Sequence, residues 1–257
     1  MKYYYDKQEI RTIDEWKKAF CASYSGKDDD YHWQPGRSGE RLANDFIESN
    51  ACGEETMKKM VSEFMHTNDV SLDEAYIEHG SKFDEYSRRR MQDLAIFGSA
   101  KGKSIFIGIE AKVDESFGSY TVSGQRNNVK KMLSEGVNTD AGLRLDKLVT
   151  DFLEGDETKY GKLRYQLLYY LAGSFREKAE VIFMPVIVYK TTGFDYHEKK
   201  GNSNKKAYET FMKDLGFKPV NEMIGGDIIL AYHNVISAPD LNGVEVSKDV
   251  FSCYIVK

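Results

Sequence analysis

The chain has few cysteines, no long apolar run and no surplus of basic charge, and each shortage argues against a class of function. Three cysteines among 257 residues, Cys21, Cys52 and Cys253, are an odd number at spacings that match no ligand cluster. Reduced thiols in a cytoplasmic protein are expected, and a disulfide framework or a structural zinc is not. The longest nearly unbroken apolar stretch, Val181 to Tyr189, has nine residues and contains Pro185. A spanning helix needs roughly 20, so no membrane partner is expected. The opening segment MKYYYDKQEIRTIDEW carries charges where a signal peptide would be apolar, and export is not expected. The 36 basic residues are outnumbered by 41 acidic ones, giving a net charge of -5. A nucleic-acid partner would have to be held by a local patch. His32, His66, His79, His197 and His233 show no ligand spacing and read as surface or packing residues.

What is present suits one folded unit. Hydrophobic residues make up 41% and charged residues 30%, enough apolar material for a sizeable core. There is no internal repeat. The short KDDD near residue 30 and the run Glu198 to Lys206 read as solvated loops. Helices are expected over Ile13–Phe20, from an N-cap at Ser38 through Ile47, over Glu54–Phe64 and again from about Leu72. Further helices are expected at Val122–Glu135, Leu143–Glu154, Leu163–Lys178 and Ala207–Leu215. Strands are expected from Asp93, from Ser104, over Val181–Tyr189, at Asp227–Tyr232 and at Val250–Val256. The expected class is α/β: a central mixed sheet flanked by helices in a single domain over 1–257, with a mostly helical part over 1–85 packed on a sheet-containing core over 86–257.

The most legible segment is LAIF, the turn-like AKGK, then SIFIGIEAKV. Ile105, Ile107, Ile109, Ala111 and Val113 share one side of a strand, and Phe106, Gly108, Glu110 and Lys112 share the other. A hairpin turning about Lys101 and Gly102 sets Asp93 opposite Glu110, with Lys112 beside them. Facing carboxylates weaken a sheet unless a cation or a proton neutralises them. Mg²⁺ takes hard oxygen ligands of this kind. A cation there could acidify a bound water and stabilise charge on a phosphoryl oxygen, while the lysine orients that water or offsets charge. The chemistry this implies is phosphodiester hydrolysis. Glu-x-Lys also occurs at Glu15, Glu157 and Glu198, but only Glu110 stands on an apolar strand.

Asp93 followed by Glu110-Ala111-Lys112 resembles the core motif of the PD-(D/E)XK nuclease superfamily, with Gln92 where the motif has proline. The resemblance implies a restriction-endonuclease-like fold in which Asp93 and Glu110 bind Mg²⁺ or Mn²⁺ and Lys112 assists hydrolysis. It also implies a metal-site glutamate on a preceding helix, for which Glu40 in GRSGERLANDFI is the candidate; a carboxylate favoured by the helix dipole is the plain alternative. Gln166-Leu-Leu-Tyr-Tyr170 is similar to the Gln-x-x-x-Tyr motif of RecB-like nucleases, which gives Gln166 and Tyr170 a part in positioning DNA. Ordinary helix packing is the competing reading. The strings GRSGE, EAKVDESFG and LRYQLLYY also resemble a bacterial domain family of unassigned activity in that superfamily, over roughly residues 33 to 190.

Arg88, Arg89 and Arg90, Lys130 and Lys131, and the Lys199–Lys206 run could meet phosphates, although a charge run is usually a solvated face. Gly98 to Ser104 has three residues between its glycines where a phosphate-binding loop needs four, and it joins strand to strand. The expected function is a Mg²⁺- or Mn²⁺-dependent nuclease acting on nucleic acid, DNA foremost, with a homodimer suited to cutting both strands. The alternative is a catalytically silent module of the same fold that contacts nucleic acid or a protein.

Overall fold

Strands at the middle of a sheet are apolar on both sides when helices cover both faces, and this chain supplies helices before and after its central hairpin. The computed structural model describes residues 1–23, 33–48, 51–113, 115–190 and 197–257, with backbone alone over 197–203. In chain order the elements are β1 (Lys2–Tyr5), β2 (Gln8–Ile10), α1 (Ile13–Ser23), α2 (Ser38–Ile47), α3 (Gly53–Met65), β3 (Val70–Ser81), β4 (Arg90–Ala100) and β5 (Lys103–Lys112). Then come α4 (Val122–Ser134), α5 (Ala141–Phe152), α6 (Glu157–Tyr160), α7 (Tyr165–Phe175), β6 (Val181–Val188), α8 (His197–Asp214), β7 (Lys218–Pro219), β8 (Ile228–Pro239) and β9 (Glu245–Val256).

Among the described residues the strands form one nine-stranded sheet in the order β2-β1-β3-β4-β5-β6-β9-β8-β7. The pairs β1–β3, β5–β6 and β6–β9 are parallel, and the others antiparallel. The fold is therefore α/β with a mixed central sheet. On one face Trp16, Leu42, Phe46, Met60 and Phe64 from α1 to α3 pack with Ile77, Ile96, Ile107 and Ile109. On the other, Leu148, Leu167, Leu171, Phe175 and Phe211 pack with Ala95, Phe106, Ile182 and Val186. No helix among the described residues is long and apolar enough to cross a membrane. Among the described residues no cysteine forms a disulfide.

The β4–β5 hairpin has the expected register, Ala100 pairing with Lys103 and Leu94 with Ile109. Lys101 and Gly102 both take positive φ, 52° and 74°, the primed-turn backbone whose twist suits a two-residue hairpin. The segment that resembles a phosphate loop is this turn.

Several expectations are corrected. Residues from Leu72 form strand β3, not a helix. A register shift between Leu72 and Glu74 inserts one residue, so the buried Leu72 and Ala75 stand three apart, which imitates helical spacing. Residue 85 is no boundary, because β1, β2 and β3 precede it and join the same sheet. The run Glu198–Lys206 lies within α8 rather than in a loop; Tyr208, Phe211 and Met212 bury the later turns of that helix, and this outweighs the Gly and Asn near its start. At α2, Arg37 is the capping residue and Ser38 the first helical one. The KDDD segment lies outside the described residues.

Pro185 sits in central strand β6 without an N–H, and the β5–β6 pairing is interrupted between Ile107–Phe183 and Glu110–Val186. The buried Tyr170 hydroxyl fills this gap, within reach of the carbonyls of Gly108 and Pro185. Tyr170→Phe is expected to lower stability by about 1–2 kcal/mol, because those buried acceptors lose their donor. A denaturant midpoint unchanged from wild type would show that the hydroxyl contributes nothing.

Candidate active site

Glu110 lies on β5 with its side chain 2% exposed. Burial alone would push its carboxyl up, but the Arg90 guanidinium and the Lys112 ammonium hold it below the usual range. Arg90 Nη2 donates to Glu110 Oε2. Lys112 Nζ stands 2.7 Å from Oε1, and Gln166 Nε2 donates to the same oxygen at 2.7 Å. Lys112 is two residues along the strand, so alternation keeps both side chains on one face. Burial pulls the Lys112 ammonium down, yet Glu110 and Asp93 overcome it and raise its pKa. Lys112 therefore offers positive charge and N–H donors, not a base.

The β4–β5 ladder stops at Leu94–Ile109, and beyond it the side chain of Asp93 takes over the pairing: its Oδ2 accepts from the Ala111 N–H at 2.7 Å. Burial, then the neighbouring Glu110 charge, push its carboxyl up to about 7, against the opposing pull of Lys112 and Arg90.

A third acid joins this pair. The pairs Ile77–Leu94 and His79–Gln92 bracket Glu78 on β3 and Asp93 on β4. Glu78 is 6% exposed, and burial, then Asp93, raise its pKa well above the carboxylate range. Its backbone has φ 49°, a left-handed conformation that costs about 1–3 kcal/mol in a non-glycine residue. Glu78 escaped the sequence reading because the bulge at Leu72/Glu74 disguised its strand. Alignment of Ile77 with Leu94 would have found it.

The other expected site residues divide. Gln166 reaches Glu110 although three helices separate it from β5 in the chain. Arg90, expected at a phosphate surface, is buried; it serves Glu110, with Tyr169 and Tyr170 ring centroids 5.9 and 5.6 Å from its guanidinium carbon. Gly173 on α7 makes room for it, since a Cβ there would fall 2.9 Å from Arg90 Cβ. Arg88 and Arg89 are exposed. Tyr170 is 1% exposed and bonded to backbone, so it is a strut between β5 and β6 and not a contact for nucleic acid. Glu40 accepts from the Gly36 N–H at 2.7 Å and fixes the turn before α2. Lys130 and Lys131 are exposed on α4.

Mg²⁺ or Mn²⁺ would suit the donors here in kind: hard carboxylate oxygens, with Asp93 driven upward by burial and Glu110, and Glu78 by burial and Asp93. Glu78 Oε1, buried, has no hydrogen-bond partner among the described residues. With Glu110 engaged by Arg90, Lys112 and Gln166, no group of three His, Cys, Asp or Glu side chains among the described residues stands ready to hold a metal. Asp93 and Glu78 are the acids with unmet charge demand.

The family model described as Domain of unknown function (DUF6946) matches residues 9–244. The chain belongs to that family. The matched span takes in Glu78, Arg90, Asp93, Glu110, Lys112 and Gln166. Neither a curated protein nor a solved structure matches the chain.

The raised Asp93 pKa fixes the sign of a pH effect. Between the unfolded value near 3.9 and about 7, the folded carboxyl holds a proton that the unfolded chain has released. Its contribution is therefore present at low pH and lost as pH rises through that window. Metal-free protein is expected to lose stability from about pH 4 to about pH 7, and Asp93→Asn to flatten that fall. An identical pH dependence of the denaturation midpoint in the variant would rule Asp93 out as its source.

Proposed function

We propose that this DUF6946 chain is a divalent-metal-dependent nuclease that hydrolyses phosphodiester bonds of nucleic acid, DNA foremost. The observation that carries the reading is the meeting of Asp93, Glu110 and Lys112 at one end of the β4–β5 hairpin, with Gln166 of α7 on Glu110. Acid, acid and ammonium stand in the order that the PD-(D/E)XK resemblance requires, and the glutamine of its helix motif reaches the same carboxylate.

Asp93 and Glu110 would hold the cation. Mg²⁺ or Mn²⁺, when bound, supplies an acidified water and neutralises charge on a phosphoryl oxygen. Lys112 orients that water and offsets the negative charge that develops as water adds to phosphorus and a P–O ester bond breaks. Gln166 keeps Glu110 in one rotamer. Arg90 keeps Glu110 ionised from its other oxygen. A homodimer would suit cleavage of both strands of a duplex.

A second reading, a silent module that binds nucleic acid or protein without turnover, draws on a specific observation. Both Glu110 oxygens already have cationic or amide partners, and the chain carries a net charge of -5.

Purified protein with Mg²⁺ or Mn²⁺ is expected to cleave DNA, to stop in EDTA, and to lose at least about 100-fold in rate on Lys112→Ala, assayed at a temperature where circular dichroism shows that variant folded. Full activity in that variant would dismiss the role of Lys112, and DNA binding without any cleavage would favour the silent module. Asp93→Asn is expected to weaken Mn²⁺ binding in calorimetry; undiminished binding would remove Asp93 from the ligand set.

A further inference from the structure

Glutamate is a poor choice for position 78 if folding is all that the position serves. The side chain is 6% exposed, its Oε1 is buried without a hydrogen-bond partner among the described residues, and its backbone has φ 49°. Gly or Asn would take that backbone more readily, and an apolar side chain would leave no unbonded oxygen. Ser23 on α1 hydrogen-bonds the carboxyl group, which leaves Oε1 open. The strand register brackets Glu78 with Asp93, and after burial itself the Asp93 charge is the largest influence on its carboxyl. Glu40, the auxiliary acid that the resemblance implies, is bonded to Gly36 at 2.7 Å.

We propose that Glu78, through Oε1, is a third carboxylate ligand of the divalent-cation site of Asp93 and Glu110, in the part that the resemblance gives to Glu40. The proposal rests on the metal-dependent reading of that site. It accounts for a glutamate held at a left-handed bend of β3 with one buried oxygen unbonded, because a cation satisfies that oxygen where no side chain does. The auxiliary acid then comes from the strand beside Asp93, and Glu40 is left to shape the loop before α2.

The test is a Mn²⁺ titration of the full chain by calorimetry, with melting temperatures in EDTA and in Mn²⁺, for wild type, Asp93→Asn and Glu78→Gln. Glu78→Gln is expected to weaken Mn²⁺ binding by about 10- to 100-fold, to melt at or above wild type in EDTA, and to gain less from Mn²⁺. Full Mn²⁺ affinity in Glu78→Gln, with Asp93→Asn impaired, overturns the Glu78 assignment and leaves the site reading standing. Absence of Mn²⁺ binding by wild type overturns the site reading and this proposal with it. Should Glu78→Gln fail to fold, anomalous diffraction from wild-type crystals soaked in Mn²⁺ decides: an ion coordinated by Asp93 with Glu78 Oε1 in its shell supports the assignment, and an ion there without it overturns it.

Discussion

The ionised carboxylate of Glu110, buried between two layers of helices, is the constraint around which the centre of this protein is arranged. A lone charge at that depth would neutralise itself or unfold its surroundings. Glu110 avoids both because Arg90, Lys112 and Gln166 converge on its two oxygens. Removal of one partner from such a buried set typically costs about 3–5 kcal/mol, whereas well-packed apolar replacement of a whole buried ion set is often neutral or stabilising. Stability alone therefore explains the charges poorly.

Their neighbours fit the same view. Two cations serve Glu110 first, and what remains of their field does not offset the burial and neighbouring negative charge that raise the carboxyls of Asp93 and Glu78. The site holds more acid than its own basic groups can neutralise, inside a chain whose remaining surface is mildly acidic overall. Under the proposed function, a small hard cation would supply the missing charge.

Much of this was legible in the residues. The β4–β5 register, its turn at Lys101–Gly102 and the convergence of Asp93, Glu110 and Lys112 follow from alternation and turn chemistry, which are local. Gln166 was recognisable only through a resemblance, because three helices intervene and no periodicity links α7 to β5. Arg90 was misread because sequence cannot distinguish the buried member of an arginine triplet from its exposed companions; only the packing of Gly173 and Tyr170 against it does. Glu78 was missed for a reason of backbone geometry, since one inserted residue in β3 turned a strand's alternation into a helix's. Tyr170 sits in a motif suggestive of ligand contact, yet its hydroxyl mends a ladder that Pro185 interrupts.

The hairpin that bears the site also has a bearing on how the molecule is assembled. Arg90, Asp93, Glu110 and Lys112 all belong to one segment closed by a two-residue turn, and their formal charges cancel. Hairpins of this kind close in about 1–10 μs, whereas the parallel pairings of β1 with β3 and β6 with β9 require contacts remote in sequence and are intrinsically slower. Topology thus permits the four groups to find one another while still wet. The helical layers then desolvate charges that are already paired rather than isolated ions, and part of the dehydration penalty that would otherwise raise the barrier to collapse is avoided.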